Sequence, residues 1–362
     1  MATHYQARLR HAEHYERLLS RANELYTEGG DAMVQALEEF DLAWENISSA
    51  QEWLAANAES DPGLARLCSS YPDAGLYVLH LRLPVLVRIR WLQPALEAAR
   101  RLCLRDAEGW HLVNLAMAYA LSGKTEQASA LYEERLAVAR ETGDRIGEGR
   151  VLGNLANLYA DIGDTEKAIE LYHIRLKIAR ETEDRRGEAS VLTNLGDSYA
   201  DSGDATQAIK FLKQALHIFR ELKERRNEGI TLVNLARAYG KSGDTAKAVE
   251  LVELSLEVCR EVQDKRCEGA AFAVLGDVYF DRFELQRAIE CYERWEKIAR
   301  QLEDPRAIAN ALWRMALGYE IEGKDCAAME KAQAALSLFE EIQDDTALTI
   351  KDELTLWSRA DS

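Results

Sequence analysis

Six positions set 40 apart carry tyrosine: Tyr119, Tyr159, Tyr199, Tyr239, Tyr279 and Tyr319. Ala128, Ala168, Ala208, Ala248, Ala288 and Ala328 keep the same step, and Gly123, Gly163, Gly203, Gly243 and Gly323 mark one turn of it. A period in this range means stacked supersecondary units, because one such unit cannot bury its own apolar face and needs a neighbour as its other wall. The period runs from 105 to 344 and constrains the fold before local propensity is consulted.

The stretch 145–184 is the clearest copy. Val151, Leu152, Leu155, Leu158 and Tyr159 are apolar at helical spacing, Gly163-Asp164 interrupts them, and Ala168, Ile169, Tyr172, Leu176 and Ala179 resume the pattern. This predicts two amphipathic helices, with Gly163 left-handed at the end of the first and Asp164 capping the second. Small residues after a repeated Leu (Ala156, Gly196, Ala236, Gly276) face the Ala168-type position and let the paired helices approach closely. Arg140, Arg180, Arg220, Arg260 and Arg300 fall near the ends of second helices, and Glu148, Glu188, Glu228 and Glu268 near the starts of first helices. We read these charges as a solvated, dipole-matched surface.

The run Leu155-Ala156-Asn157-Leu158-Tyr159, the Gly-Asp turn, and Ala168 with Tyr172 beyond it resemble the tetratricopeptide repeat. The usual repeat is about 34 residues, so each pair here is longer. The 40-residue form with Gly153-Asn154-Leu155-Ala156-Asn157 looks like the repeats of Pins-type adaptors and of bacterial signalling proteins. The chain departs from the pattern late in the second helix, where Arg135, Arg175, Ser255 and Trp295 replace the usual Ala. The resemblance implies an all-α, right-handed tetratricopeptide superhelix, an α-solenoid. The segment Phe40 to Ile47 looks like one preceding the sensor array of bacterial STAND-type signalling ATPases. The expected organisation is an N-terminal helical region (1–63), a degenerate repeat-like unit (64–104) whose first helix holds Pro84, six units (105–344), and a C-terminal capping helix and tail (345–362).

A net charge of −17 argues against nucleic acid, which needs basic clusters to neutralise phosphate, and disfavours an anionic membrane surface. No apolar run approaches the ~18 residues of a membrane span, and Met1 to Tyr5 lack a signal-peptide core. With no Cys-x-x-Cys pair, the six cysteines read as reduced core or near-core thiols of a cytoplasmic protein.

Catalytic, metal and cofactor sites are not expected. Gly123-Lys124-Thr125 copies part of a phosphate loop, but position 118 is Ala inside a helical pattern and no strand precedes it. His4, His11 and His14 lack further converging ligands and read as exposed polar residues. No Gly-x-Ser-x-Gly occurs and no Cys-His pair recurs in register.

The candidate binding residues form a ladder. Asn114, Asn154, Asn194 and Asn234 fall in register on first helices, and an amide offers both donor and acceptor to an extended main chain. The same amides could instead bond the next unit's backbone. Neighbours one turn on are Asn157, Asp197, Arg237 and Asp277, then Asp161, Asp201, Lys241 and Asp281; Trp110, Arg150 and Trp313 also reach toward the groove. The mixture is acidic with a basic patch at Arg237 and Lys241. The expected ligand is therefore a protein or peptide segment with basic residues and an acid opposite that patch. The expected role is non-enzymatic: a scaffold, sensor or adaptor in signalling. An alternative, resembling Rap-type and maltose-regulator-type repeat proteins, is a receptor for a signalling peptide or small metabolite whose binding shifts the N-terminal helices. Units one to four, with the Asn series, are expected to hold the selected surface.

Overall fold

The computed structural model describes residues 2–360 and is all-α, with no strand among the described residues. It divides into two compact units, one ending at Ile162 and one beginning at Gly163.

The first unit holds α1 (Ala2–Glu28), α2 (Gly30–Asn57), α3 (Pro62–Ala74), α4 (Leu76–Arg82), α5 (Val85–Arg101), α6 (Arg105–Leu121), α7 (Thr125–Thr142) and α8 (Arg145–Asp161). The long helices α1 and α2 pack together and against α3, and from α5 to α8 each helix packs on the next. Asp61 caps α3 by accepting from the backbone N–H of Gly63 at 2.6 Å, with Pro62 in the first turn, where its missing N–H costs nothing. Tyr5 donates to the other oxygen of Asp61 and Tyr71 to the carbonyl of Ala12, which ties α1 to α3. Phe40, Ile47, Leu54, Tyr71 and Trp91 are buried at the centre of this core. The sequence expectation for Pro84 is corrected here. It precedes α5 rather than lying in a helix, since it bars a helical conformation for Leu83. What looked like one first helix is divided into α3 and α4 at Gly75.

The second unit holds α9 (Thr165–Glu181), α10 (Arg185–Asp201), α11 (Ala205–Glu221), α12 (Arg225–Lys241), α13 (Thr245–Glu261), α14 (Lys265–Asp281), α15 (Leu285–Gln301), α16 (Pro305–Ile321), α17 (Asp325–Glu341) and α18 (Thr346–Ala360). Each helix packs on its successor, and α12 also touches both α10 and α14, so the first helices of successive pairs form one wall. The turn after each first helix is closed by a bond back to the repeated tyrosine's carbonyl: Asp204 N–H to Tyr199 and Asp244 N–H to Tyr239, at 2.9 and 3.0 Å. Gly203 and Gly243 supply the left-handed residue there, with φ of 89° and 87°. The turn after each second helix needs the same conformation but lacks glycine: Glu183, Lys223, Gln263, Glu303 and Gln343 all sit at φ 51–57°. The Asp caps expected at helix starts are present at Asp164, Asp204 and Asp244.

Three further readings are corrected. Glu148, Glu188, Glu228 and Glu268 are not solvated; all four are buried, each between two basic side chains. Cys259 and Cys267 are not free thiols but joined by a disulfide between α13 and α14, Cα–Cα 5.7 Å. Trp313 does not point into an open groove; it stacks on Trp357 of α18 at 5.7 Å between ring centroids. The departures late in second helices are accommodated by polar contacts or by facing glycines. Arg135 pairs with Asp144 at 2.8 Å, Ser255 donates to the carbonyl of Gly229, and Trp295 lies against Gly269.

Candidate functional site

In the second unit, the wall made by α10, α12 and α14 gathers half of the sequence-predicted residues. One nitrogen of the Arg237 guanidinium donates to Asp197 Oδ1 and to Asn234 Oδ1, both at 2.7 Å. Lys241 Nζ donates to Asp201 Oδ1 at 3.1 Å and to the carbonyl of Ala200 at 2.8 Å. The supposed basic patch is therefore neutralised by the repeat before it. One step on, Asp277 Oδ1 accepts from the Tyr292 hydroxyl at 2.8 Å and lies 3.7 Å from Arg314. Acid and base alternate from repeat to repeat along this wall.

Beside it lies a groove with about 350 Å³ of room, bounded by α12, α14, α15 and the start of α16. Asn234 and Arg237 form one side and Trp295 and Ile298 another. Ala270 and Ala273 line the α14 side, with Lys265 and Arg266 at the helix start and Asp277 about three turns further along it. Lys265 is held by Glu268 at 2.7 Å, whereas Arg266 is exposed and forms no ion pair among the described residues. The carboxyls of Asp197 and Asp277 are held above the usual range. Burial is the main cause for both, opposed for Asp197 by Arg237 and for Asp277 by Arg314 and Tyr292. Both side chains keep some exposure, and Asp277 lines the groove.

The remaining predicted residues lie in the first unit. Trp110, Arg150, Asn157 and Asp161 are exposed on α6 and α8, and Asn154 is half-buried. Burial raises the Asp161 carboxyl. Asn114 differs from its repeat partners: it is 7% exposed and lines a small cavity under α4 and α5 rather than an open groove. The ladder thus falls two and two, Asn114 and Asn154 in the first unit, Asn194 and Asn234 in the second.

The groove's Arg266, Ala270, Ala273 and Trp295 were not among the predicted site residues. Their signal was available in the fifth repeat, where Val274 replaces Asn and the inner positions shrink to alanine. The phosphate-loop fragment is an ordinary helix junction: Gly123 is left-handed at φ 74°, and Lys124 lies 5.6 Å from the centre of the Tyr119 ring. His11 contacts Asn46 at 3.4 Å and His14 packs edge-on to Tyr15. Among the described residues no group of three His, Cys, Asp or Glu side chains is placed to hold a metal, and no helix is long and apolar enough to cross a membrane.

The family model described as Tetratricopeptide repeat matches residues 112–181, 147–221, 187–261 and 227–301. No curated protein matches the chain. Among solved structures, a Rap protein complexed with Competence and Sporulation Factor is 16% identical, with TM-score 0.58 over 95% of this chain and 98% of its own. A STAND protein with a tetratricopeptide repeat sensor from Pyrococcus horikoshii is 15% identical, TM-score 0.55, over 94% of this chain and 63% of its own. BtubC from P. vanneervenii is 24% identical, TM-score 0.53, over 61% and 93%. At these identities the likeness is one of fold.

Proposed function

The chain belongs to the tetratricopeptide repeat family, and from that premise we propose that it is a non-enzymatic scaffold, a sensor or adaptor in signalling, that holds an extended protein segment along its first helices. The observation that carries the reading is the second-unit groove, where a fixed Asn234–Arg237–Asp197 cluster borders small residues and a cation without a partner. A bound main chain can meet the amide of Asn234, a small or apolar side chain fits over Ala270 and Ala273, and an acidic residue pairs with Arg266. Basic residues of the ligand meet Asp277 and Asp281. The acid is assigned to Arg266 rather than to Arg237 and Lys241, because both of those are already paired.

Affinity capture with the full chain followed by mass spectrometry identifies the partner, and calorimetry then reads its peptides. Ala273→Trp, which fills the groove, and Arg266→Glu are expected to abolish or weaken binding; Asn194→Ala with Asn154→Ala tests the ladder. Folded Ala273→Trp and Arg266→Glu proteins that keep full affinity would end this reading. A cytoplasmic location goes with it. Non-reducing mass spectrometry of the Cys259–Cys267 pair in protein taken from cells bears on that, since disulfides are rare in reducing compartments.

A second reading, a receptor for a signalling peptide or small metabolite that moves the N-terminal helices, is favoured by one contact. Trp44 of α2 stacks on Trp91 of α5 at 5.7 Å, so the long N-terminal pair is packed directly on a wall of the Asn114 cavity. Small-angle scattering with and without ligand reads the compaction this requires.

A further inference from the structure

Arg88 is an anomaly in a chain of net charge −17: it forms no ion pair among the described residues, and its Nε is buried without a hydrogen-bond partner. A guanidinium carries five donors, and leaving even one of them buried without a partner is costly. Asn114 is also nearly fully buried, and no hydrogen bond is found for its amide among the described residues. The two line the same cavity, together with His80. The rest of the wall is apolar, chiefly Leu79, Leu83 and Trp91. A buried guanidinium nitrogen without a partner and a nearly buried amide, converging from different helices, α5 and α6, on one largely apolar cavity, describe a ligand site better than a packing fault.

We propose that this first-unit cavity binds a small organic carboxylate with a short apolar chain: the carboxylate takes the Arg88 guanidinium and the Asn114 amide, and the chain lies against Leu79, Leu83 and Trp91. The charge choice follows from the donors. Arg88 offers the fork geometry that matches a carboxylate, and Asn114 adds an N–H. Burial and the neighbouring Arg88 lower the pKa of His80, so at neutral pH it adds no second charge, and a dianion is not called for. The size choice follows from the space. The cavity itself has only about 20 Å³ of room, enough for about one water. A short chain is accommodated as the Arg88 and His80 side chains, which line the cavity without a hydrogen bond to any described group, move aside. Binding here does not depend on the second-unit groove. Only its consequence, a displacement of α2 through the Trp44–Trp91 stack, rests on the receptor reading.

Calorimetry on the full chain with straight-chain carboxylates from acetate to octanoate, and with isovalerate against isovaleramide, tests the site. The expected result is binding that strengthens with chain length and then falls, with isovaleramide at least about tenfold weaker than isovalerate, the scale of one lost charge-assisted bond. Arg88→Gln is expected to lose a similar factor while its circular dichroism is unchanged, and Asn114→Leu gives a second reading from another helix. No heat from any carboxylate, equal binding of acid and amide, inorganic phosphate binding in their place, or a folded Arg88→Gln protein of full affinity would each overturn the proposal. Tryptophan fluorescence and scattering on the same samples separate binding from its consequence: binding without α2 movement keeps this site and removes the receptor reading.

Discussion

Arg140 Nε donates to Glu148 Oε1 at 2.9 Å, and the same bond joins Arg180 to Glu188, Arg220 to Glu228 and Arg260 to Glu268 at 2.8–2.9 Å. Each buried glutamate takes a second cation from its own first turn: Arg145, Arg185, Arg225 or Lys265. The clasp fastens the end of one pair to the start of the next. It recurs in looser form as Arg100 with Glu108 at 3.5 Å, and is missing in the sixth repeat, where Ile308 stands and Arg300 turns to Glu296.

Removing a buried carboxylate leaves its two cations facing each other without a counter-ion. Glu228→Ala is expected to cost about 2–3 kcal/mol, less than for a fully buried pair because the arginines are half-exposed. Acid adds a sign. For Glu148 and Glu268 burial pushes the carboxyl up, but the two basic partners outweigh it and the net shift is downward. A folded-state pKa below the unfolded value gives stability that is present above about 4.3, the ordinary glutamate value, and is lost as pH falls through the folded value. Urea titrations between pH 7 and 3 should show Glu148→Gln and Glu268→Gln flattening that acid limb; an unchanged limb excludes the clasp as its source.

Gly196 and Gly276 stand where other repeats carry alanine. A Cβ on Gly196 would lie 2.4 Å from Leu212 Cγ, and one on Gly276 2.4 Å from Tyr292 Cε1. Both neighbours are fully buried, but Leu212 is a flexible aliphatic chain, whereas the Tyr292 ring is rigid and pinned by its bond to Asp277. Gly276→Ala is therefore expected to cost about 2–3 kcal/mol and Gly196→Ala about 1–2 kcal/mol, read by chemical denaturation. The reverse order would mean the ring moves more freely than its contacts imply.

These elements show how far residue patterns reach. The period placed the pairs of helices and the left-handed glycines because both leave a mark in letter type. It could not place the left-handed Glu183, Lys223 and Gln263, since those side chains carry no turn signal and tertiary packing imposes the conformation. Asn114 and Asn154 share a letter and a register, yet Asn114 is closed over by helices outside the period. The Arg237–Asp197 pair was visible as opposite charges 40 apart, but only a structure tells a pair across adjacent repeats from two separate surface charges.

Phe283 takes the place of the turn glycine in the fifth repeat, at φ 58°, with 77% of its surface exposed. A left-handed conformation costs a non-glycine residue about 1 kcal/mol or more, and this ring recovers little by burial. Phe283→Gly is expected to raise stability by about 0.5–1 kcal/mol after the entropy of the freed unfolded chain is set against it. A Tm that falls instead would show the exposed ring contributing a contact of its own.

Asp277 gives the opposite pH sign from the clasp. Burial raises its carboxyl, with Arg314 and the Tyr292 hydroxyl opposing. An acid whose folded pKa lies above its unfolded value binds its proton more tightly when folded, so stability declines as pH rises from the ordinary aspartate range through the folded value. Asp277→Asn removes the charge and keeps an oxygen for Tyr292. It loses only an exposed pairing with Arg314 at 3.7 Å, a contact of small value. The substitution should therefore raise stability at pH 7 by up to about 1 kcal/mol once solvent screening is allowed for, and abolish the decline toward neutrality. If the groove binds a segment with a basic residue at this point, the same substitution weakens that binding, and stability and affinity move in opposite directions. Such opposition marks a carboxylate kept for recognition rather than for folding. Denaturation midpoints and peptide affinities measured on one preparation decide it: Asp277→Asn losing both stability and affinity would make Asp277 a structural residue of the α14–α15 pair.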